Sequence, residues 1–416
     1  MRVPIQLKYF FFIYILAIST FEFFFRISQV ATYLLFPIAG FVFYYYKKRF
    51  DYSVLIIILP FFLIYILQHV FYDTPIYFAF SLIIRLLTVY FSLKIIGIEF
   101  IKIFINTLKI ISLISIFFYV IQYIPAIHGL MITLSEHFTN LGSQPDTVID
   151  RPNFIIYAIQ QIEEGGPGLY RNSGPFWEPG LFVVFLNIAF FFNTFYTKEL
   201  FSKTNAIFLV NIFSTLSTTG FIVLLMIFIV YLISFKSLKI QNKLLLLIIL
   251  IACIPAIFSL SFMTKKINDQ MGQSDLSYSR FGAAVVHWNI IQDYPITGLP
   301  NDNNKTYSKY SDNISPNGIT EIFVRYGVIS GMIYYFILYL SSGSIMYILG
   351  NPNKGIFLFL ILVTLIMSQT IGTSPIYWLL VLNLTLLGDK EKNILRIKRL
   401  IEIERLKASL NIQKSR

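Results

Sequence analysis

Cysteine is nearly absent from this chain of 416 residues: Cys253 is the only one and lies in an apolar run, so an intrachain disulfide is excluded. Histidine is scarce too. His69, His128, His137 and His287 are scattered without the spacing of a ligand set, which argues against a metal site. A Walker-type phosphate loop is missing, so the chain does not itself hydrolyse ATP. No nucleophile elbow supports a covalent serine mechanism. The apolar/polar alternation of membrane barrels is missing as well. Charged residues make up only 13% of the chain, too few to clothe a soluble domain.

What is present is apolar length. Hydrophobic residues account for 56% of the sequence and the mean hydropathy is +0.70. Runs of about 20 apolar residues, enough to cross hydrocarbon as a helix, recur along almost the whole chain. A helix satisfies its own backbone groups in lipid. The expected fold is therefore all-α: a polytopic transmembrane helical bundle of about twelve spans with two long extracytoplasmic loops.

Bases outnumber acids by 33 to 21, a net charge of +12, which would suit nucleic acid if the charge were spread over a binding face. Its location points instead to a membrane. Arg2 and Lys8, Lys47 to Arg49, Lys94, Lys102 and Lys109, Lys236, Lys239 and Lys243, and the tail all fall on one side of an alternating topology. By the positive-inside rule that side is the cytoplasm, with both termini in it. The first apolar run, Tyr9 to Phe24, lacks a small-residue cleavage site and is expected to be retained as a helix.

In order, residues 1–124 are expected to hold five spans: Tyr9 to Phe24, Ile27 to Tyr46, Val54 to Tyr72, Ile76 to Ile96 and Ile103 to Ile124. A polar, Gly/Pro-rich loop covers 125–175, well beyond the usual connection length and so a functional candidate. Residues 176–262 hold the central spans. There Phe176 to Tyr196 returns inward, and Asn205 to Phe235 is broken at Ser217-Thr218-Thr219-Gly220 into two short helices meeting near the outer face. Lys243 to Phe262 then leads out. The second long loop is 263–317, and 318–388 carry spans near Val328 to Leu349, Ile356 to Ile371 and Pro375 to Leu387. The basic tail, 389–416, suits anionic cytoplasmic headgroups.

Charge near a membrane helix is expensive, so the ionisable groups at the loop–helix junctions are the candidates for function. They are Arg171 and Glu178 in the first loop, Arg280 and His287 in the second, and Glu321 and Arg325 after Asn317. Guanidinium groups make forked hydrogen bonds to phosphate, so Arg171 and Arg280 would suit a pyrophosphate at the membrane surface; snorkelling or a loop salt bridge is the plain alternative. Glu178, before Pro179, either offsets the positive end of a helix dipole or acts as a general base or arginine orienter. Arg85, near the middle of its span, is expected to pair internally, with a lipid diphosphate as the alternative partner. His287 is expected to be a packed histidine, with catalysis the lesser reading. Glu321 and Arg325, four apart, form a helical ion pair in the leading reading.

Three segments carry a family resemblance. Arg171-Asn-Ser-Gly-Pro-Phe-Trp-Glu-Pro-Gly180 resembles the start of the large-loop helix in the bacterial O-antigen polymerase and ligase superfamily. Ser279-Arg280-Phe-Gly through His287-Trp288 to Tyr294-Pro295-Ile-Thr-Gly298 is similar to the second-loop helix, and Asn317-Gly-Ile-Thr-Glu-Ile-Phe-Val-Arg-Tyr-Gly327 to the opening of the next span. Ligases usually show a histidine directly before that asparagine. Pro316 stands here, which favours the polymerase. The resemblance implies a glycosyltransferase on the outer face of the bacterial inner membrane, acting on undecaprenyl-diphosphate-linked glycan without cofactor or metal. On this reading Arg171 and Arg280 would hold diphosphate and Glu178 would be the base or orienter, with Arg325 and His287 as secondary diphosphate and catalytic candidates; Arg85, outside the resembling segments, joins the diphosphate candidates by its place within a span. A flippase and a chain-length regulator are the implied partners besides membrane lipids. The alternatives kept open are the ligase and a lipid-linked oligosaccharide flippase.

Overall fold

A computed structural model describes residues 3–24, 27–139, 152–161, 170–234, 280–301, 306–311 and 317–388. Helices α1 (Ile5–Thr20), α2 (Ser28–Tyr45), α3 (Ser53–Tyr72), α4 (Tyr77–Ile96), α5 (Phe100–Ile121) and α6 (Pro125–Thr139) come first. A small antiparallel hairpin, β1 (Ile159–Gln161) and β2 (Tyr170–Asn172), pairs Gln160 with Arg171. There follow α7 (Pro179–Thr197), α8 (Lys203–Ser214), α9 (Thr218–Ser234), α10 (Arg280–Asp293), α11 (Gly318–Ile348), α12 (Gly355–Met367) and α13 (Pro375–Val381). The expected span Lys243 to Phe262, with Cys253, and the tail from Asp389 lie outside the described residues.

The chain is an all-α membrane protein. Among the described residues, five helical segments are long and apolar enough to cross a bilayer: α2, α3, Tyr77–Ile121, α7 and α11. The third turns at Gly97 into α4 and α5. Four shorter apolar helices accompany them among the described residues.

Burial sorts these helices into centre and periphery. In α7, 83% of the apolar window is buried, against 28% in α2. Large apolar residues recur on every side of α7, as a helix surrounded by other helices requires, and its buried Asn187 and Asn193 donate to the Gly220 carbonyl and to Asn205 Oδ1 of the neighbouring helices. It packs against α5, α8 and α9, with Phe104 meeting Phe192 edge to face. On α2 the large residues Val30, Leu34, Ile38 and Phe41 are exposed while Ala31, Leu35 and Ala39 are buried. Ala31 and Ala39 let a neighbouring helix approach around Leu35, and large apolar residues outside suit lipid.

Three boundaries depart from the sequence reading. The first loop opens with a helix, because Pro125 supplies the fixed φ of a first helical turn and Ile127, Leu130, Met131 and Leu134 recur at helical spacing. The break between α8 and α9 falls at 215–217, just ahead of the expected Ser217–Gly220, with Leu216 in the left-handed region. Before the expected start at Val328, α11 runs back to Gly318 and bends at Gly327, whose φ is 71° and ψ 174°.

Candidate functional site

The Arg171–Gly180 segment forms a tight junction above α7. Asn172 is its hub: its amide donates to Asn211 Oδ1 at 3.1 Å and Ser214 Oγ at 2.9 Å, and its Oδ1 accepts from the backbone of Gly174 at 3.1 Å and from Ser115. Phe176 then stacks on Phe182 and Phe185 with centroids 4.9 and 5.5 Å apart. Polar satisfaction and aromatic packing together fix how the chain enters α7.

Arg171 is drawn into this junction. Its Nε donates to the carbonyl of Thr215 at 3.0 Å and Nη2 to that of Leu216 at 3.4 Å, where α8 ends and carbonyls lack helical partners. Glu178 is the N-cap of α7 with Pro179 at the first helical position, and its side chain makes no capping bond. Neither residue is among the described residues lining the two cavities below. Arg280 opens α10, and its side chain lies outside the described residues.

A second junction joins α10 to α11. The turn after α10 docks on the bend at Gly327: Leu299 N donates to Val324 O at 2.7 Å and Val328 N to Pro295 O at 2.8 Å. A Cβ on Gly327 would lie 2.2 Å from the carbonyl oxygen of Ile296, and one on Gly298 2.6 Å from that of Arg325. Both glycines have positive φ. Gln68 of α3 holds the same joint, its Nε2 donating to the carbonyls of Thr297 at 2.8 Å, Leu299 at 3.1 Å and Arg325 at 3.4 Å. The sequence reading missed this residue. A lone amide in the apolar run Val54 to Tyr72 was the available signal, since polar groups within a span are rarely idle.

Two cavities meet beside this joint. The larger, about 360 Å³, is lined by Ser19, Gln29, Thr32, Arg85, Trp177, Arg325, Thr370, Thr373 and Ser374 among others. The smaller, about 140 Å³, is lined by Tyr65, Gln68, His287, Asn301, Tyr307, Glu321, Arg325 and Thr370 among others. Arg325 and Thr370 border both. Arg85 stands eight residues into α4 and Arg325 seven into α11, so each lies about 10–12 Å along its helix. Trp177, next to Glu178, brings the first motif to the rim.

Charge in these cavities is unbalanced. Arg325 Nη2 meets Glu321 Oε1 at 2.9 Å, the ion pair expected from their spacing. The expectation that Arg85 pairs internally is corrected: among the described residues it has neither hydrogen bond nor ion pair. Two guanidinium groups therefore face one carboxylate, an excess of positive charge that suits an anion. No described acid lines the larger cavity to neutralise Arg85.

His287 is packed, as expected, with only 1% of its surface exposed. Its Nδ1 meets Thr320 Oγ1 at 2.6 Å and its Nε2 meets the Tyr307 hydroxyl at 3.3 Å. Thr320 also donates to the Asn317 carbonyl at 3.4 Å, which turns its lone pairs to an Nδ1–H and leaves Nε2 to accept from Tyr307. Burial pushes its pKa down to about 4, so the ring is neutral at pH 7.

The structure thus brings Arg85, Arg325, Glu321 and His287 to two adjoining cavities and sets Arg171 to a helix end. Among the described residues no group of three or more His, Cys, Asp and Glu could hold a metal. Fold and cavities define an all-α membrane protein with a cationic polar pocket between its helices. No family model, no curated protein and no solved structure matches the chain.

Proposed function

We propose that this protein is a membrane glycosyltransferase that polymerises undecaprenyl-diphosphate-linked repeat units into O-antigen or a related surface polysaccharide. In this reading it lies in the bacterial inner membrane with about twelve spans, both termini in the cytoplasm and its two long loops on the outer face. The single observation that carries it is Arg85. A guanidinium well inside a membrane-length helix with no partner among the described residues is costly unless a ligand neutralises it, and it shares a cavity with Arg325, Trp177 and several hydroxyls. Such a pocket suits a diphosphate with a sugar attached: cations stabilise the departing charge and an indole offers a face to a sugar ring. The resemblance of three segments to the polymerase and ligase superfamily supports the same chemistry, and Pro316 favours the polymerase within it. Membrane lipids, a flippase and a chain-length regulator are the partners this reading calls for, and no cofactor is needed because diphosphate is already a good leaving group.

The test is an electrophoretic ladder of surface glycan from a deletion strain of the source bacterium, complemented with the wild-type gene or with Arg85→Ala. Collapse to single repeats, restored by wild type and not by Arg85→Ala, is expected; an unchanged ladder on deletion defeats the assignment.

One observation favours a second reading, a lipid-linked oligosaccharide flippase. Arg85 and Arg325 lie on helices rather than in external loops, as a translocation cavity requires. The same strain separates the two, because loss of a flippase removes every repeat unit from the surface whereas loss of a polymerase leaves single ones.

A further inference from the structure

Two buried acceptor atoms in the smaller cavity wall are unused. Gln68 Oε1 and Glu321 Oε2 have no hydrogen-bond partner among the described residues, and both side chains line the same cavity of about 140 Å³. Burying an acceptor without a donor is unfavourable, so each such atom asks for a donor group in the cavity. Neither can be relieved by turning the side chain. Three carbonyls surround the other end of the Gln68 amide, and reversing it would set oxygen against oxygen. Glu321 is held through its other oxygen by Arg325 at 2.9 Å.

The chemistry of the missing partner follows from these two atoms. Both need donors, which excludes a phosphate or carboxylate as their ligand. Arg325 at the same wall opposes a metal cation. What remains is a neutral donor, either ordered water or a molecule whose hydroxyl groups take the place of water. The volume matches a single six-membered ring, since a cavity of about 150 Å³ accepts benzene. Because Arg325 and Thr370 border both cavities, such a ring would lie across Arg325 from a diphosphate in the larger one.

We propose that the smaller cavity is the subsite for one sugar ring of the acceptor glycan. Its hydroxyls donate to Gln68 Oε1 and Glu321 Oε2, and Glu321 takes the proton of the attacking hydroxyl. The proposal rests on the glycosyltransferase reading. In the step, the acceptor oxygen forms a bond to the anomeric carbon of the donor as the bond from that carbon to the diphosphate oxygen breaks. The diphosphate leaves with the electron pair beside Arg85 and Arg325, and the hydroxyl proton passes to Glu321 Oε2.

The experiment compares wild type, Glu321→Gln and Glu321→Asp as full chains, by surface-glycan ladder in the deletion strain and by binding of undecaprenyl diphosphate to purified protein in nanodiscs. Glu321→Gln is expected to bind undecaprenyl diphosphate within about threefold of wild type while polymerisation falls on the order of 10²–10⁴-fold. Glu321→Asp keeps the charge beside Arg325 but withdraws the base by one methylene, so it is expected to bind normally and recover only part of the ladder. Polymerisation at the wild-type rate by Glu321→Gln overturns the proposal and leaves the polymerase reading standing. So does joint loss of undecaprenyl diphosphate binding and polymer in both variants, which marks Glu321 as a support for Arg325 alone. If wild type neither binds undecaprenyl diphosphate nor restores a ladder, the polymerase reading itself fails and the subsite falls with it.

Discussion

Arg171 donates to the carbonyl of Thr215 at 3.0 Å, so a guanidinium placed by sequence beside a loop–helix junction closes the end of a neighbouring helix. The bond ties β2 to α8 across a gap of 44 residues in sequence. Arg171→Ala should therefore lower the thermal stability of the purified protein, by about 1–3 kcal/mol for a charge-assisted bond to buried carbonyls. Undecaprenyl diphosphate binding per folded molecule should be retained. A normal melting temperature with lost binding would return Arg171 to the ligand site.

Arg85 should behave in the opposite way. Among the described residues it has no partner, so Arg85→Met removes an uncompensated charge and keeps the length of the aliphatic stem. Stability should hold or rise by about 1 kcal/mol while the glycan ladder is lost. Melting in detergent beside the ladder reads both; a large fall in stability would mean that Arg85 is structural.

Gly327 allows no side chain. At φ 71° and ψ 174° only glycine is comfortable, and a Cβ would meet the Ile296 carbonyl oxygen at 2.2 Å. Gly327→Ala should cost about 2 kcal/mol or more. Loss of yield or a lowered melting temperature would register it.

His287 makes stability depend on pH. Burial lowers its pKa from an ordinary 6.5 to about 4, so between those values the unfolded chain binds a proton that the folded one refuses. Its contribution is complete above the unfolded value and is lost as pH falls from 6.5 toward 4, about 3 kcal/mol at full extent. Melting curves of wild type and His287→Asn across that range should converge at acid pH. A pH-independent gap between them would contradict the buried neutral ring.

Which parts of this were legible in the sequence follows from the range of each signal. Apolar length is local, and it located α2, α3, α4, α5, α7 and the later part of α11. The Glu321–Arg325 pair was legible for the same reason, because one helical turn separates the partners. Arg85 was misjudged because the presence or absence of a counter-ion depends on distant chain. Gln68 went unseen because its partners, Thr297, Leu299 and Arg325, lie more than 200 residues away. The helix at Pro125 was hidden by its Gly and Pro content, although its apolar residues do recur at helical spacing.

The enclosure of α7 bears on how the protein is made. Most of the α7 surface gains little by exchanging lipid tails for the side chains of α5, α8 and α9; only a few polar residues, Asn187 and Asn193 among them, call for protein partners. It can therefore rest in the bilayer as it is synthesised and be surrounded only when α8 and α9 have followed it. For this element assembly is mainly an exchange of apolar neighbours, and the bonds from Asn187 and Asn193 can form only once α8 and α9 are in place, so the order of insertion, rather than any gain from leaving water, decides when α7 is locked.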